Sequence, residues 1–279
     1  MKAGWAKWRL KYTYHSPYLR PNRIIAASRG RIRSPDFIIF GSERGGTTSL
    51  YNYLLDSSSV VPALRKEIHF FDQNYSRGLI WYLAHFPTRD NTVISGESSP
   101  HYYIFPEAAR RISHDLPETR LIMLLRNPID RAYSHYQHEV ALGYEKDSFE
   151  EAIKREFYVD GSVWISQDLR PNGISEYVHH SYLSKGLYAK HLRCWLDCIP
   201  RKRFLMLKSE TFFDTPEQTM MKVYDFLGVE SVDKIAYRKY NEGHYGEIKP
   251  ELRSRLQHFY EPFNRDLSDL LNMDFSDWT

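Results

Sequence analysis

A strand, a glycine-rich turn and the start of a helix follow one another between Phe37 and Leu50, and this succession constrains the fold more than any other stretch. The residues read Phe-Ile-Ile-Phe-Gly-Ser-Glu-Arg-Gly-Gly-Thr-Thr-Ser-Leu. Four apolar residues predict a buried strand, and Gly45 and Gly46 let a ligand approach the backbone. The free N–H groups at a helix that begins with Thr47, Thr48 and Ser49 would face an anion. The stretch therefore predicts a phosphate-binding loop.

The cation of this loop is not where nucleoside triphosphate enzymes carry it. The pattern G-x-x-x-x-G-K-[ST] requires a lysine at position 47, and this chain has Thr47 there. Arg44 lies inside the loop instead. The sequence thus favours a phosphorylated nucleotide other than a triphosphate.

Apolar runs alternate with helical patterns along the rest of the chain, which predicts a three-layer, P-loop-like α/β fold with a central parallel sheet flanked by helices. We predict a single domain over residues 34–279 of the 279. The predicted strands are Asp36–Gly41, Thr92–Gly96, Arg120–Arg126 and Arg203–Lys208. The predicted helices are Thr47–Asp56, Pro106–His114, Ile129–Leu142, Ser181–Asp197, Pro216–Leu227 and, in two pieces, Pro250–Leu271.

Residues 1–33 form a basic N-terminal extension with nine basic residues and no acidic one. Such an arm could contact an anionic membrane, with Trp5 and Trp8 at the lipid interface, or it could pack on the domain with its charges solvated. An acidic glycan or nucleic acid would fit the charge as well, although we expect no nucleic-acid partner. No secretory leader or membrane span is recognisable, so we expect a cytoplasmic protein.

Two further segments carry candidate chemistry. Arg126 follows an apolar strand and Ser134 lies almost two turns along the next helix, which suits a second anion site, although Arg126 could equally pair with an acid. Glu67 and His69 face the same way if their segment is extended, and a carboxylate beside an imidazole can act as a general base. By spacing alone, neither segment is decisive.

Together, Gly41–Leu54, Lys66–Asp72 and Arg126–Ser134 resemble the three signature segments of the sulfotransferases that use 3′-phosphoadenylyl sulfate (PAPS). The similarity is greatest to the heparan sulfate branch, the N- and 3-O-sulfotransferases, and it extends from about Pro35 through Trp278. The resemblance implies sulfuryl transfer from PAPS to a hydroxyl or amine, with 3′-phosphoadenosine 5′-phosphate (PAP) as product and no metal. One departure stands out, because the family usually has a lysine in the place of Arg44.

The resemblance also implies residue roles. Glu67 would be the general base, His69 would assist it, and Arg44 would stabilise the leaving phosphate. The implied cofactor-binding residues are Arg44, Gly45, Gly46, Thr47, Thr48, Ser49, Arg126, Ser134 and Tyr188. Two alternatives stay open: a P-loop-like kinase or NTPase, and an inactive nucleotide- or glycan-binding module. The acceptor could be a small molecule, a lipid or a saccharide, and a cytoplasmic one is favoured over a heparan-like polymer.

Overall fold

In a computed structural model, which describes residues 21–88, 92–156, 173–230, 235, 237, 238, 240 and 245–278, five parallel strands form one sheet. The strands are β1 (Phe37–Gly41), β2 (Val60–Pro62), β3 (Ile94–Ser98), β4 (Arg120–Leu125) and β5 (Phe204–Lys208). Their order across the sheet is β2-β3-β1-β4-β5. The first strand after the extension is therefore central, and the loop that follows it opens at the carboxyl edge of the sheet, where open α/β sheets bind ligands.

Helices connect the strands. They are α1 (Pro21–Ser28), α2 (Thr47–Asp56), α3 (Leu79–Leu83), α4 (Pro106–Asp115), α5 (Pro128–Leu142), α6 (Phe149–Lys154), α7 (Gly173–His180), α8 (Tyr188–Cys198), α9 (Ser209–Asp214), α10 (Pro216–Leu227) and α11 (Pro250–Leu271). A π-helical turn covers Phe70–Asn74, and short 3₁₀ turns cover Tyr75–Arg77, Tyr102–Ile104, Ser184–Gly186, Arg201–Arg203 and Ser276–Trp278.

Both faces of the sheet are covered, as continuous apolar strands require. Successive residues of β1 point to opposite faces of the sheet. Ile38 and Phe40 pack with Trp195 of α8 on one face. Phe37 and Ile39 pack with Leu50 of α2 on the other. Every residue of β1 is buried. The predicted three-layer parallel fold is confirmed. Its central strand β1 leads directly into the predicted phosphate loop.

Several predicted boundaries differ from the observed ones. The predicted strand Thr92–Gly96 lies two residues later, at Ile94–Ser98, and the three-residue strand β2 was not predicted because so short a run has no periodicity. The helix expected over Ser181–Asp197 begins only at Tyr188. The last long helix is continuous through Pro262, an exposed position where water can satisfy the carbonyl that loses its partner.

The N-terminal extension is partly described. Residues 21–33 include helix α1, and Arg23 donates a hydrogen bond to the Ala84 carbonyl at 3.1 Å. Ile32 pairs with Thr88 in an antiparallel bridge. This part of the extension packs on the domain. The remaining residues, including Trp5 and Trp8, lie outside the described residues, so membrane contact by the arm stays a prediction.

Candidate active site

The phosphate loop runs from Ser42 to Gly46 and delivers the chain into α2. Gly46 has φ 98° and precedes the helix without any side-chain capping bond, a conformation that favours glycine. The N–H groups of the first helical turn are therefore left for a ligand. Ser209 of α9 donates a 2.6 Å hydrogen bond to the Gly45 carbonyl, which fixes the loop from the far side.

Two guanidinium groups meet at this loop. The Arg44 Nε donates to Ser134 Oγ at 3.1 Å, and the Arg126 Nη1 donates to the Arg44 carbonyl at 3.0 Å. Tyr188 in turn donates to the Arg126 carbonyl at 2.9 Å. Neither guanidinium forms an ion pair with a carboxylate among the described residues. Their charges stay available for an anionic ligand. The pairing of Arg126 with an acid, the other possibility that the sequence left open, is not seen in the described part of the chain.

A cavity of about 770 Å³ lies in front of the loop. Residues of the loop and of both predicted anion sites line it, together with the predicted base Glu67. The lining residues are Glu43, Arg44, Gly46, Thr47, Thr48, Lys66, Glu67, Pro100, His101, Arg126, Asp130, Ser134, His138, Glu139, Leu142, Val178, His179, Ser209, Glu210, Phe213, Tyr240 and Tyr245. Its volume suits a ligand of nucleotide size with a neighbouring group.

The structure thus brings most of the predicted site residues together. Four of them do not line the cavity. The Gly45 carbonyl accepts a hydrogen bond from Ser209, and the Ser49 hydroxyl accepts one from the Tyr240 backbone N–H at 3.1 Å. Tyr188 donates to the Arg126 carbonyl, and His69 contacts Glu67. Their roles toward a ligand stay predictions, and the contacts they make here are with the residues that shape the site.

Glu67 and His69 are adjacent, but their segment is not an extended strand. Both residues have positive φ, 61° and 52°, and the turn brings His69 Nε2 to 4.0 Å from Glu67 Oε2. His69 Nδ1 lies 2.8 Å from an oxygen of Asp72, whose side chain is fully buried. A carboxylate therefore orients the imidazole, and the imidazole faces the predicted base. Asp72 was missed because this segment was considered as extended, whereas a helical turn brings the residue three positions later back to His69.

Charges around Glu67 set its protonation. Burial raises the pKa of its carboxyl, but the Lys66 ammonium, 2.5 Å away, and the His69 and His101 rings outweigh burial, so the pKa lies below its ordinary value. Burial lowers the pKa of His69, but Asp72 and Glu67 outweigh it, so that pKa is raised. Glu67 is therefore ionised at neutral pH, the form that a base needs.

A buried polar network joins the phosphate loop to α5, and sequence reasoning missed it. Glu43 lies 2.7 Å from the Lys185 ammonium and 3.1 Å from His101 Nε2. Further on, Glu139 lies 3.4 Å from His135 and 2.8 Å from His179. The side chains of Lys185 and His135 are fully buried.

The network holds the Glu43 carboxylate ionised. Burial acts to raise the pKa of Glu43, yet His135, Lys185 and His101 together hold it well below its ordinary value. Burial lowers the pKa of His135 to about 3, so its ring is neutral at neutral pH. Burial also lowers the pKa of Lys185, but Glu43 opposes that shift, and the Lys185 Nζ is the nearest of the three basic groups to Glu43. Two three-residue groups of the described chain have metal-ligand geometry, His69-Asp72-His101 and Glu43-His135-Glu139; the ion pairs and hydrogen bonds described above already engage their carboxylates.

Comparison with known proteins identifies the family. The sulfotransferase domain model matches residues 34–260. The chain belongs to the sulfotransferase family. Human heparan sulfate glucosamine 3-O-sulfotransferase 6 is 31% identical over 91% of this chain and 77% of its own length. The crystal structure of a sulfotransferase from Alicyclobacillus acidocaldarius is 28% identical, with a TM-score of 0.73, and covers 88% of this chain and 99% of that one.

These relatives confirm the predicted resemblance to the heparan sulfate branch and remove the kinase alternative. They also correct the expected location. A membrane-associated sulfotransferase from Dictyostelium discoideum is 24% identical over 92% of this chain and 69% of its own length, and other relatives are heparan sulfate enzymes. The cytoplasmic prediction is therefore wrong, because it took the lack of a recognisable leader as evidence of compartment. In the part of the chain that the structure describes, no helix is long and apolar enough to cross a membrane.

Proposed function

We propose that this sulfotransferase transfers a sulfuryl group from PAPS to a saccharide hydroxyl, with Glu67 as general base. One observation carries the proposal: Glu67, Arg44, Arg126 and the uncapped start of α2 share one cavity. The heparan sulfate relatives support a saccharide acceptor. The position of Arg44 and the missing lysine at Thr47 support a donor that is not a nucleoside triphosphate.

The residues fit the two phosphate groups of such a donor. The N–H groups after Gly46, with the Thr47 and Thr48 hydroxyls, would hold the 5′-phosphosulfate. Arg126 and Ser134 would hold the 3′-phosphate, with the planar guanidinium matching two phosphate oxygens. Because Arg44 bonds Ser134 and Arg126 bonds the Arg44 backbone, the two subsites would be coupled through Arg44.

Glu67 would accept the proton of the acceptor hydroxyl as its oxygen bonds to sulfur and the bond from sulfur to the phosphate oxygen breaks. The electron pair of that bond leaves on PAP. Arg44 would stabilise the growing negative charge, and since arginine effectively cannot donate a proton, PAP would leave as an anion. His69, oriented by Asp72, would hold the Glu67 carboxylate toward the acceptor and stabilise its charge before transfer.

Lys66 has a further effect on the base. Its ammonium forms an ion pair with the Glu67 carboxylate, and Lys66 lines the same cavity. This ion pair lowers the pKa of Glu67 and so makes it a weaker base. A sulfuryl group near Lys66 would compete for the ammonium and leave Glu67 a stronger base, so donor binding and base activation would be linked.

The test combines binding and turnover. PAP should raise the melting temperature without magnesium, because a ligand that binds only the folded state stabilises it. Glu67→Gln should lower kcat about 10²- to 10⁴-fold, the usual contribution of a general base, and leave the Kd for PAP unchanged. Glu107→Gln, a glutamate of similar exposure on α4, is the matched control and should keep wild-type turnover.

Three outcomes would contradict parts of the proposal. Stabilisation by Mg-ATP but not by PAP would refute the donor. Wild-type turnover in Glu67→Gln would refute the base. PAP binding without transfer to any saccharide, lipid or small-molecule acceptor would favour the inactive binding module.

A further inference from the structure

The basic residues that line the cavity are all engaged in the proposed donor site or with the proposed base. Three basic residues line the cavity in the described structure, Arg44, Lys66 and Arg126, and all belong to the phosphate loop, the second anion site or the base pair. Five acidic residues line it: Glu43, Glu67, Asp130, Glu139 and Glu210. Lys185 and Arg253, which do not line the cavity, pair with Glu43 and Asp130. No arginine or lysine among the described lining residues is left for an anionic acceptor.

A chain with many sulfate groups would therefore meet no unengaged arginine or lysine among the described lining residues. Such a chain would lack the complementary charges that orient a highly charged partner in an interface.

One part of the cavity rim carries aromatic and apolar side chains. We define the rim strip as Leu142, Tyr144 and His179. Leu142 is 55% and Tyr144 56% exposed, and Leu142 and His179 line the cavity. Tyr144 stacks on the His179 ring, with centroids 4.3 Å apart and planes at 24°.

This strip is fixed in position. Gly143 ends α5 in a left-handed conformation, and the Tyr144 backbone N–H donates to the Glu139 carbonyl at 2.9 Å, so Tyr144 is held on the end of the helix. His179 is held 2.8 Å from the Glu139 carboxylate. An aromatic pair held at the rim of a cavity offers a fixed flat surface to a ligand that enters the cavity.

We propose that the acceptor is a saccharide of low negative charge, one of whose sugar rings lies on the rim strip, and not a highly sulfated chain. One face of a pyranose ring presents C–H bonds with partial positive charge, which aromatic rings attract through their negative faces. The rim strip would bind that face while the hydroxyl to be sulfated reaches Glu67. This inference rests on the proposed saccharide sulfotransfer and narrows its substrate class.

The experiment compares acceptors at saturating PAPS. The panel contains a neutral chito-oligosaccharide, an unsulfated N-acetylheparosan oligosaccharide and a highly sulfated heparin oligosaccharide of equal length. We expect transfer to the first two and little to the third, with an acceptor KM that is nearly constant between 50 and 300 mM salt, since screening acts on charged partners.

Variants test the strip itself. Tyr144→Ala should raise the acceptor KM about three- to tenfold, the value of one aromatic contact, without changing kcat or the Kd for PAP, and Tyr144→Phe should restore it. Met221→Ala, an equally exposed apolar residue on α10, is the control and should behave as wild type.

Preferred transfer to the heparin oligosaccharide, with a KM that rises steeply with salt, would overturn the inference and leave the sulfotransfer proposal intact. An unchanged acceptor KM in Tyr144→Ala would also overturn it. Failure of the sulfotransfer proposal looks different, because then PAP would not bind or no acceptor would be sulfated.

Discussion

The buried ion pair between Glu43 and Lys185 gives the sharpest stability prediction. Lys185→Met keeps the aliphatic stem but removes the ammonium, which lies 2.7 Å from Glu43 Oε2 and 2.6 Å from the Val178 carbonyl. The Lys185 side chain is fully buried and that of Glu43 is 13% exposed. The substitution therefore leaves a carboxylate and a carbonyl without their cationic partner inside the protein.

The magnitude follows from the geometry. At 2.7 Å the attraction between two unit charges is about 6 kcal/mol with an effective dielectric constant of about 20. The desolvation of Lys185, which the variant avoids, offsets part of this attraction. Removing one partner of a buried pair typically costs about 3–5 kcal/mol, and we expect the free energy of unfolding to fall by about that amount. Because Glu43 precedes Arg44 in the phosphate loop, PAP binding should weaken as well.

Urea denaturation of wild type, Lys185→Met, Glu43→Gln and the double variant measures the effect. The double variant removes both charges, so it should recover at least about 2 kcal/mol relative to Lys185→Met, as coupled neighbours do. Lys154→Met breaks an exposed pair with Glu151 and should change stability little. A loss below about 1 kcal/mol in Lys185→Met, the range of an exposed pair, or no recovery in the double variant, would refute the reasoning.

Three further predictions concern pH, acid stability and the loop. Lys66→Met should move the acidic limb of the kcat/KM–pH profile to higher pH, because the Lys66 ammonium lowers the pKa of Glu67; an unmoved limb would contradict the pairing. Burial lowers the pKa values of His85 and His191 to about 4, so the unfolded chain binds more protons below pH 6.5. The free energy of unfolding should then fall by up to about 1.4 kcal/mol per pH unit for each histidine as pH drops from 6.5 toward 4. Replacing both histidines by glutamine should make the free energy of unfolding, measured by denaturation at each pH, fall less steeply with decreasing pH. An unchanged pH dependence would contradict the role of the two histidines. Gly46→Ala should weaken PAP binding about tenfold or more in calorimetry, because φ is 98° there and a Cβ would lie 2.8 Å from a phenyl ring; wild-type affinity would show that the loop tolerates a side chain.

Local patterns were sufficient for two of the helices. The helices Thr47–Asp56 and Pro216–Leu227 begin and end where the sequence predicts, since each combines regular apolar spacing with a glycine or proline boundary. Segments stabilised by distant contacts were less predictable. The residues before Tyr188 form a short 3₁₀ turn instead of helix, and the fully buried Lys185 in that turn reaches Glu43.

The sequence by itself was sufficient for the parallel α/β fold and the sulfotransferase family, because both rest on local apolar patterns and on motifs whose residues are close together in the chain. The phosphate-binding role of the loop and the roles of its two flanking motifs stay predictions. Only the tertiary structure decided what surrounds the loop and these motifs. Glu43 and Lys185 are 142 positions apart, and His179 reaches Glu139 from another helix. Such contacts form only when turns and helices that are distant in the sequence pack together, and their energies depend on burial, which residue spacing does not report. The composition of the cavity lining and the position of the rim strip are consequences of that packing.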